Sequence, residues 1–169
     1  MNKALHDFFT EDHRRIEDIF ERATKDSRHV DMELYQQFRI GLLTHIKMEE
    51  KILFLAAREA NNNEPIPLAD KLRLDHGALT ALMVVFPTPG VIKAIAHIME
   101  VHDLAEEQPG GMYDICGSLT QHQTDEILQK LNEVTPVPLH PINPTENAMG
   151  AMRRALKRAN FDYEEIANS

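Results

Sequence analysis

The chain has 169 residues, of which 43% are hydrophobic, and this is enough to close one hydrophobic core. Its formal net charge of -9 argues against partners that attract basic proteins, namely nucleic acids and anionic membrane surfaces. The single cysteine, Cys116, excludes a disulfide framework and a cysteine-based metal cluster. The sequence also lacks an apolar signal segment and any run as long as a membrane span, so we expect a cytoplasmic protein.

The first half of the chain predicts two long helices, over residues 4–24 and 32–60. In both segments apolar residues recur at the three- or four-residue spacing of one helix face. His13 lies on this apolar face in the first helix. Asp31 is a suitable N-cap for the second helix.

A histidine and a glutamate lie within the apolar stripe of the second helix, at His45 and Glu49. Four residues of helix advance about 6 Å and return to nearly the same side, so the two side chains are stacked. An imidazole and a carboxylate buried together indicate a metal, a proton relay or a tight ion pair, since burying either group unpaired is costly. Of these three we favour the metal.

The middle of the chain predicts two further helices. Prolines at positions 65 and 67 predict the start of a third helix, in which His76 lies on the apolar face. The segment Pro87-Thr88-Pro89-Gly90 predicts a turn. The fourth helix follows it, with His102 and Glu106 on the inner face. Each of the four helices therefore places one histidine on its apolar side.

The segment Pro109-Gly110-Gly111 predicts a kink or break after the fourth helix, and helical periodicity resumes weakly over residues 112–133. Four prolines between residues 136 and 144 indicate an extended linker. A last amphipathic helix is expected over residues 145–160. Its basic face is interpreted as solvated, with docking on the acidic bundle or on another subunit as alternatives.

No strand pattern of any length is present, so the sequence predicts an all-α protein. Four helices of about 20 residues with short connections are typical of an antiparallel, up-down-up-down four-helix bundle. We expect this bundle over residues 1–134 and a C-terminal tail, made of the linker and last helix, over residues 135–169.

The spacing His-x-x-x-Glu is by itself weak evidence for a metal site. Nine histidines among 169 residues, with the glutamates present, would form about one such pair by chance, whereas the chain contains five. They are His13/Glu17, His29/Glu33, His45/Glu49, His102/Glu106 and His122/Glu126.

Position on the apolar face distinguishes these pairs. The pairs that begin at His45 and His102 have aliphatic neighbours and are interpreted as functional. Those that begin at His29 and His122 are interpreted as solvated helix pairs. Glu17 is interpreted as a residue at the rim, since its neighbours are the core positions.

The candidate metal donors are thus four histidines and two glutamates, one histidine from each helix. They are His13, His45, Glu49, His76, His102 and Glu106. Neutral imidazoles with bridging carboxylates suit a pair of first-row metal ions, iron or manganese especially, and zinc stays open because ligand type does not settle identity. Two divalent ions would also offset the cost of burying two carboxylates.

Four segments carrying these donors resemble, in the same order, the haemerythrin-like (HHE cation-binding) family. They are Asp12-His13-Arg14-Arg15-Ile16, His45-Ile46-Lys47-Met48-Glu49-Glu50, Asp75-His76 and His102-Asp103-Leu104-Ala105-Glu106-Glu107. The resemblance covers residues 4–120 and implies an antiparallel four-helix bundle with a non-haem di-iron centre.

The resemblance also implies a role for each donor. His13 and His45 would bind one iron, and the histidines of the third and fourth helices would bind the other. Glu49 and Glu106 would bridge the two ions.

The sequence departs from the family pattern at two places. Oxygen-carrying haemerythrins have a further histidine on the third helix, but here the positions one turn from His76 are Leu72 and Thr80. This set of four His and two Glu resembles the iron–sulfur-repair and iron-sensing members, without the cysteine-bearing N-terminal domain common in the repair proteins. The second departure is Pro109-Gly110-Gly111, which leaves open how the site is closed beyond Glu106.

With four protein donors for each ion, either iron would keep an open position, which an oxo or hydroxo bridge could share. Such a centre suits dioxygen, nitric oxide or peroxide as ligand. We therefore expect a di-iron protein that senses, buffers or handles iron, oxygen or nitric oxide. The alternatives are a di-iron oxidase, peroxidase or nitric oxide reductase, and a purely structural bundle. A homodimer is left open.

Overall fold

A computed structural model describes residues 1–169, and all its regular elements are helical, which confirms the predicted all-α class. A π-helical turn over Glu49–Leu53 joins the second and third helices, and a 3-10 turn over Gln121–Gln123 precedes the seventh. The helices are α1 Lys3–Ala23, α2 Met32–Met48, α3 Phe54–Ala60, α4 Ala69–Leu82, α5 Pro89–Glu107, α6 Met112–Leu119, α7 Thr124–Asn132, α8 Glu146–Arg158 and α9 Tyr163–Ala167. None of them combines the length and apolarity that a membrane span requires.

The helix α2 begins where the sequence predicts, whereas the starts of α4 and α5 differ from the prediction by a few residues. The Asp31 side chain accepts a hydrogen bond from the Leu34 amide, as expected of an N-cap. The third predicted helix begins only at Ala69, because Leu68 before it has a φ of 71°, outside the helical region. The predicted turn before α5 is shorter than expected, since Thr88 caps the helix and Pro89 is already its first residue.

The predicted break after α5 is confirmed, and glycines make it possible. Gly110 has a φ of 77°, which residues with a Cβ rarely adopt. At Gly111 a Cβ would lie 2.6 Å from the Ala105 carbonyl oxygen, so only glycine allows this approach to the end of α5. The chain therefore turns here, and α6 packs against α5.

The buried apolar residues form two clusters. The larger, which we name the α8 cluster, has 22 buried residues, including Phe20, Ile95 and Leu156. The smaller, the α6 cluster, has 14 buried residues, including Phe9 and Leu72. The helices α1, α2, α4 and α5 cross between the two clusters, and their polar buried side chains lie at the level where the clusters meet.

The C-terminal segment is packed onto the bundle, and its last helix, α9, was not predicted. Met152 and Leu156 of α8 are fully buried in the α8 cluster, which also includes Tyr163 of α9. The preceding linker is helix-free, as expected, and its Asn143 amide donates a hydrogen bond to the Val84 carbonyl. The division at residues 134/135 stays a prediction, but α8 shares its core with the preceding helices.

Candidate metal centre

The structure brings all six predicted donors together in the interior. They come from α1 (His13), α2 (His45), the π-helical turn (Glu49), α4 (His76) and α5 (His102 and Glu106). Each has at most 4% of its surface exposed. Each lies on the inner face because apolar neighbours three or four residues away are drawn into the two clusters.

The six side chains form two groups that share both glutamates. One group consists of His13, His45, Glu49 and Glu106, and the other replaces the two histidines with His76 and His102. In each group the donor atoms lie within 4.8 Å of one another, close enough to hold a metal ion.

Each glutamate directs its two oxygens to different groups. Glu49 Oε1 lies 3.0 Å from His45 Nε2, and Glu49 Oε2 lies 3.0 Å from His76 Nε2. Glu106 Oε2 lies 3.3 Å from His13 Nε2, and its Oε1 lies 3.0 Å from His102 Nε2. A carboxylate that bridges two ions needs this arrangement.

A second set of carboxylates holds the outward-facing Nδ1 atoms of the histidines. On one side, Asp12 lies 2.8 Å from His45 Nδ1, and Glu107 lies 2.6 Å from His13 Nδ1. Such contacts fix the Nδ1–H tautomer and aim the Nε2 lone pair inward, as in the carboxylate–histidine–metal arrangement.

The other two histidines are held in the same way. Glu50 lies 3.0 Å from His76 Nδ1, and Asp75 lies 3.2 Å from His102 Nδ1. Glu49 and Glu50 thus contact opposite nitrogens of one imidazole from consecutive positions of the π-helical turn. A π turn is wider than an α turn and is frequent at functional sites.

The sequence analysis did not assign these outer carboxylates, although the signal was present. Each is the sequence neighbour of a donor: Asp12 precedes His13, Glu50 follows Glu49, Asp75 precedes His76 and Glu107 follows Glu106. Each, however, serves a histidine on another element, and only the packing of the helices shows which one.

The donor set fits a pair of cations. Glu49 Oε2 and Glu106 Oε1 are buried without a hydrogen bond, although each lies 3.0 Å from an imidazole nitrogen. The Nε2 atoms of His76 and His102 face each other at 3.2 Å. Lone pairs that converge in this way, far from water, require positive charge between them.

In the metal-free site, protons supply that charge. Burial opposes protonation of His13, but the carboxylates of Glu106 and Glu107 raise its pKa to about 10. Burial likewise opposes protonation of His45, and the Glu49 carboxylate raises its pKa to about 9. Metal ions at this position would replace these protons.

A residue that the sequence analysis missed, Tyr113, reaches into the first group. It is 1% exposed, and its hydroxyl oxygen lies within hydrogen-bond distance of Glu49 Oε1, at 2.6 Å, and of Glu106 Oε2, at 2.9 Å. Burial and the charges of Glu106 and Glu49 raise its pKa well above the usual value. The only sequence signal was its position just after Pro109-Gly110-Gly111, and nothing local shows that the chain turns back there.

The pairs interpreted as solvated lie at the surface. His29, Glu33, His122 and Glu126 are all exposed. Glu17 is bonded to Arg14 at 2.7 Å and lies at the rim, as predicted.

A cavity of about 10 Å³ adjoins the centre. Its lining includes His13, His45, His102 and Asp103. This volume holds about one water molecule. Burial raises the pKa of the Asp103 carboxyl to about 7. Asp103 also lines a surface groove of about 430 Å³ between α1 and α5, as do Glu17 and Met99, so these three residues lie between the cavity and the groove.

Comparison with known proteins gives one match, to a family profile. No curated protein and no solved structure matches the chain. The sequence profile of the Hemerythrin HHE cation binding domain matches residues 4–108, which include all six donors. The chain therefore belongs to the hemerythrin HHE cation-binding domain family.

Proposed function

We propose that this protein binds two iron ions, one between His13 and His45 and the other between His76 and His102, with Glu49 and Glu106 bridging them. The observation that carries the proposal is that each glutamate aims its two oxygens at histidines of different groups. An ordinary buried ion pair would engage one partner group, whereas this pattern provides four donors on each side.

We also propose that the four donor-bearing helices run up-down-up-down. Supporting this, α1 and α4 contribute to the α6 cluster with their N-terminal halves, and α2 and α5 approach it with their C-terminal ends. Chain direction would then alternate at each connection, and donors at mid-helix would meet at one level.

The role that we propose is to sense, buffer or handle a small ligand such as dioxygen, nitric oxide or peroxide. Bound iron would supply a cation able to bind such a ligand. The outer carboxylates hold the Nδ1 protons of the histidines, and the two apolar clusters exclude water. The cavity of about 10 Å³ admits a ligand of two or three atoms, whereas an organic substrate would not fit.

Metal analysis tests the proposed centre. The purified chain is loaded with ferrous iron without oxygen, desalted and analysed for metal, with zinc and manganese as competitors. We expect two irons per chain in the wild type and in the control His29→Ala, whose side chain is 83% exposed. His45→Ala should lose at least one iron. A wild-type chain that is folded but retains no metal would contradict the proposal.

Ligand stoichiometry tests the proposed role. Nitric oxide or peroxide is mixed with the reduced, iron-loaded protein in a stopped-flow instrument. Binding of about one ligand per centre supports sensing or buffering. Many turnovers of the ligand would instead make the protein an enzyme.

A further inference from the structure

Tyr113 is held firmly in the interior by its surroundings. It is the second residue of α6, directly after the glycine turn that follows α5. Its ring is stacked on Phe9, with ring centres 5.0 Å apart, and the edge of His6 packs against it. The ring therefore has one orientation, and its hydroxyl points at the donors.

The hydroxyl oxygen contacts all four donor atoms of the first group. Tyr113 Oη lies 2.6 Å from Glu49 Oε1 and 2.9 Å from Glu106 Oε2. It also lies 3.0 Å from His13 Nε2 and 3.3 Å from His45 Nε2. The remaining oxygens of the two glutamates face the histidines of the second group.

Hydrogen bonding alone does not account for these contacts. A phenol has one hydrogen to donate, and it can satisfy only one of four neighbours. The two carboxylate oxygens are acceptors, and in the neutral form that binds a metal the Nδ1–H tautomers set by Glu107 and Asp12 make both Nε2 atoms acceptors as well. A cation among these five atoms would satisfy all of them.

The distances match those between donors on one ion. Two donors bonded to an ion at about 2.1 Å, and at a right angle to each other, are about 3 Å apart. The phenol oxygen is 2.6–3.3 Å from its four neighbours. It therefore lies where a fifth donor would be.

We propose that Tyr113 is a fifth protein ligand of the iron held by His13 and His45. This inference rests on the proposed di-iron centre. When the bond to iron forms, the phenol O–H bond breaks and the proton leaves to solvent, so that Oη binds as phenolate. The charge of the ions offsets the field of the two glutamates, as when a metal ion deprotonates a coordinating thiol.

The proposal makes the two irons unequal. The iron at His13 and His45 would have five protein donors and the iron at His76 and His102 only four. An anionic oxygen donor also favours the ion of higher charge, so the first iron should be the one more readily kept ferric.

Spectroscopy of the iron-loaded protein tests this assignment. Wild type, Tyr113→Phe and Tyr35→Phe are loaded with ferrous iron without oxygen and then oxidised in air. Tyr35 is the matched control, because it is fully buried but its hydroxyl has no hydrogen-bond partner. We expect wild type and Tyr35→Phe to show a visible phenolate-to-iron(III) absorption band with tyrosine ring modes in the resonance Raman spectrum. Tyr113→Phe should lose both and retain its bound iron.

The outcomes separate this inference from the proposed function. Wild type that binds two irons without phenolate modes, or a Tyr113→Phe chain that keeps them, would overturn the tyrosine ligand and leave the di-iron centre intact. Wild type that binds no iron would overturn both. If Tyr113→Phe does not fold, wild type with ring-deuterated tyrosine decides. The modes shift only if a tyrosine is ligated, and Tyr113 is the tyrosine whose hydroxyl contacts the donors.

Discussion

Each histidine of the centre has a contact at both ring nitrogens, and these contacts determine how a single substitution affects metal binding. An Nε2 atom faces the interior while a carboxylate from another element holds Nδ1. Removing the outer carboxylate leaves the donor present but free to rotate, and it lowers the basicity of the imidazole. Substitutions beside the donors should therefore weaken metal binding without removing a ligand.

At this scale we predict that Asp75→Asn lowers the affinity for iron by about 10-fold or more, because His102 loses its charged partner. A competition titration against a chelator measures the change. Asp70→Asn is the control, since the Asp70 side chain lies on the same helix but is 97% exposed. Equal affinities in the two variants would show that the outer carboxylates are dispensable.

At the scale of elements, two irregularities shape the centre. The π-helical turn at Glu49–Leu53 allows consecutive glutamates to serve the same histidine. The glycine turn after α5 places Tyr113 next to residues about 100 positions away in the chain. If a regular α-helix replaced either turn, the side chains of Glu50 and Tyr113 would point away from the centre.

We predict that Gly111→Ala destabilises the protein by about 1–3 kcal/mol, the usual cost of overpacking. Its Cβ would lie 2.6 Å from the Ala105 carbonyl oxygen and 2.8 Å from that of Glu106. Urea unfolding measures the change. The matched variant is Gly77→Ala within α4, where a Cβ meets nothing within 4 Å. That variant should gain about 0.5–1 kcal/mol, and a loss of similar size in both would refute the steric explanation.

The helix α8 supplies a second prediction at this scale. Leu156→Ala should cost about 2–5 kcal/mol, since Leu156 is fully buried in the α8 cluster. The neighbouring exposed residue provides the control, Lys157→Ala, which should change stability by no more than about 0.5 kcal/mol. Denaturation followed by circular dichroism should show one shifted transition. Separate melting of α8 would mean that it is an independent unit.

At the scale of the whole molecule, the centre is a polar layer between two apolar clusters. The four helices that cross this layer bury four imidazoles and two carboxylates there. Without metal, these groups depend on protons and on one another for compensation, which is costly in the interior. Metal ions that bind only the folded chain should therefore stabilise the whole bundle.

We predict that removing iron with a chelator lowers the melting temperature. With metal at about 100 times its dissociation constant, the stabilisation is about 2.7 kcal/mol. For a chain of this size that corresponds to about 5–10 °C. Differential scanning calorimetry with and without chelator measures the shift. The His45→Ala variant should show a smaller one, and an unchanged melting temperature in wild type would contradict a role of the metal in stability.

The sequence by itself determined the helical class and the inner face of each long helix. The reason is that helical periodicity is local: Leu42, His45 and Glu49 lie on one face whatever the rest of the chain does. For the same reason the exposed pairs at His29 and His122 could be recognised as solvated, and the break at Pro109-Gly110-Gly111 could be expected.

Only the tertiary structure decided which outer carboxylate holds which histidine, how α8 and α9 join the core, and that Tyr113 reaches the donors. These contacts join residues far apart in the chain, such as Asp12 with His45 and Glu107 with His13. They depend on the rotation and height of each helix relative to its neighbours. Side-chain packing across the whole molecule sets those quantities, and no short stretch of sequence encodes them.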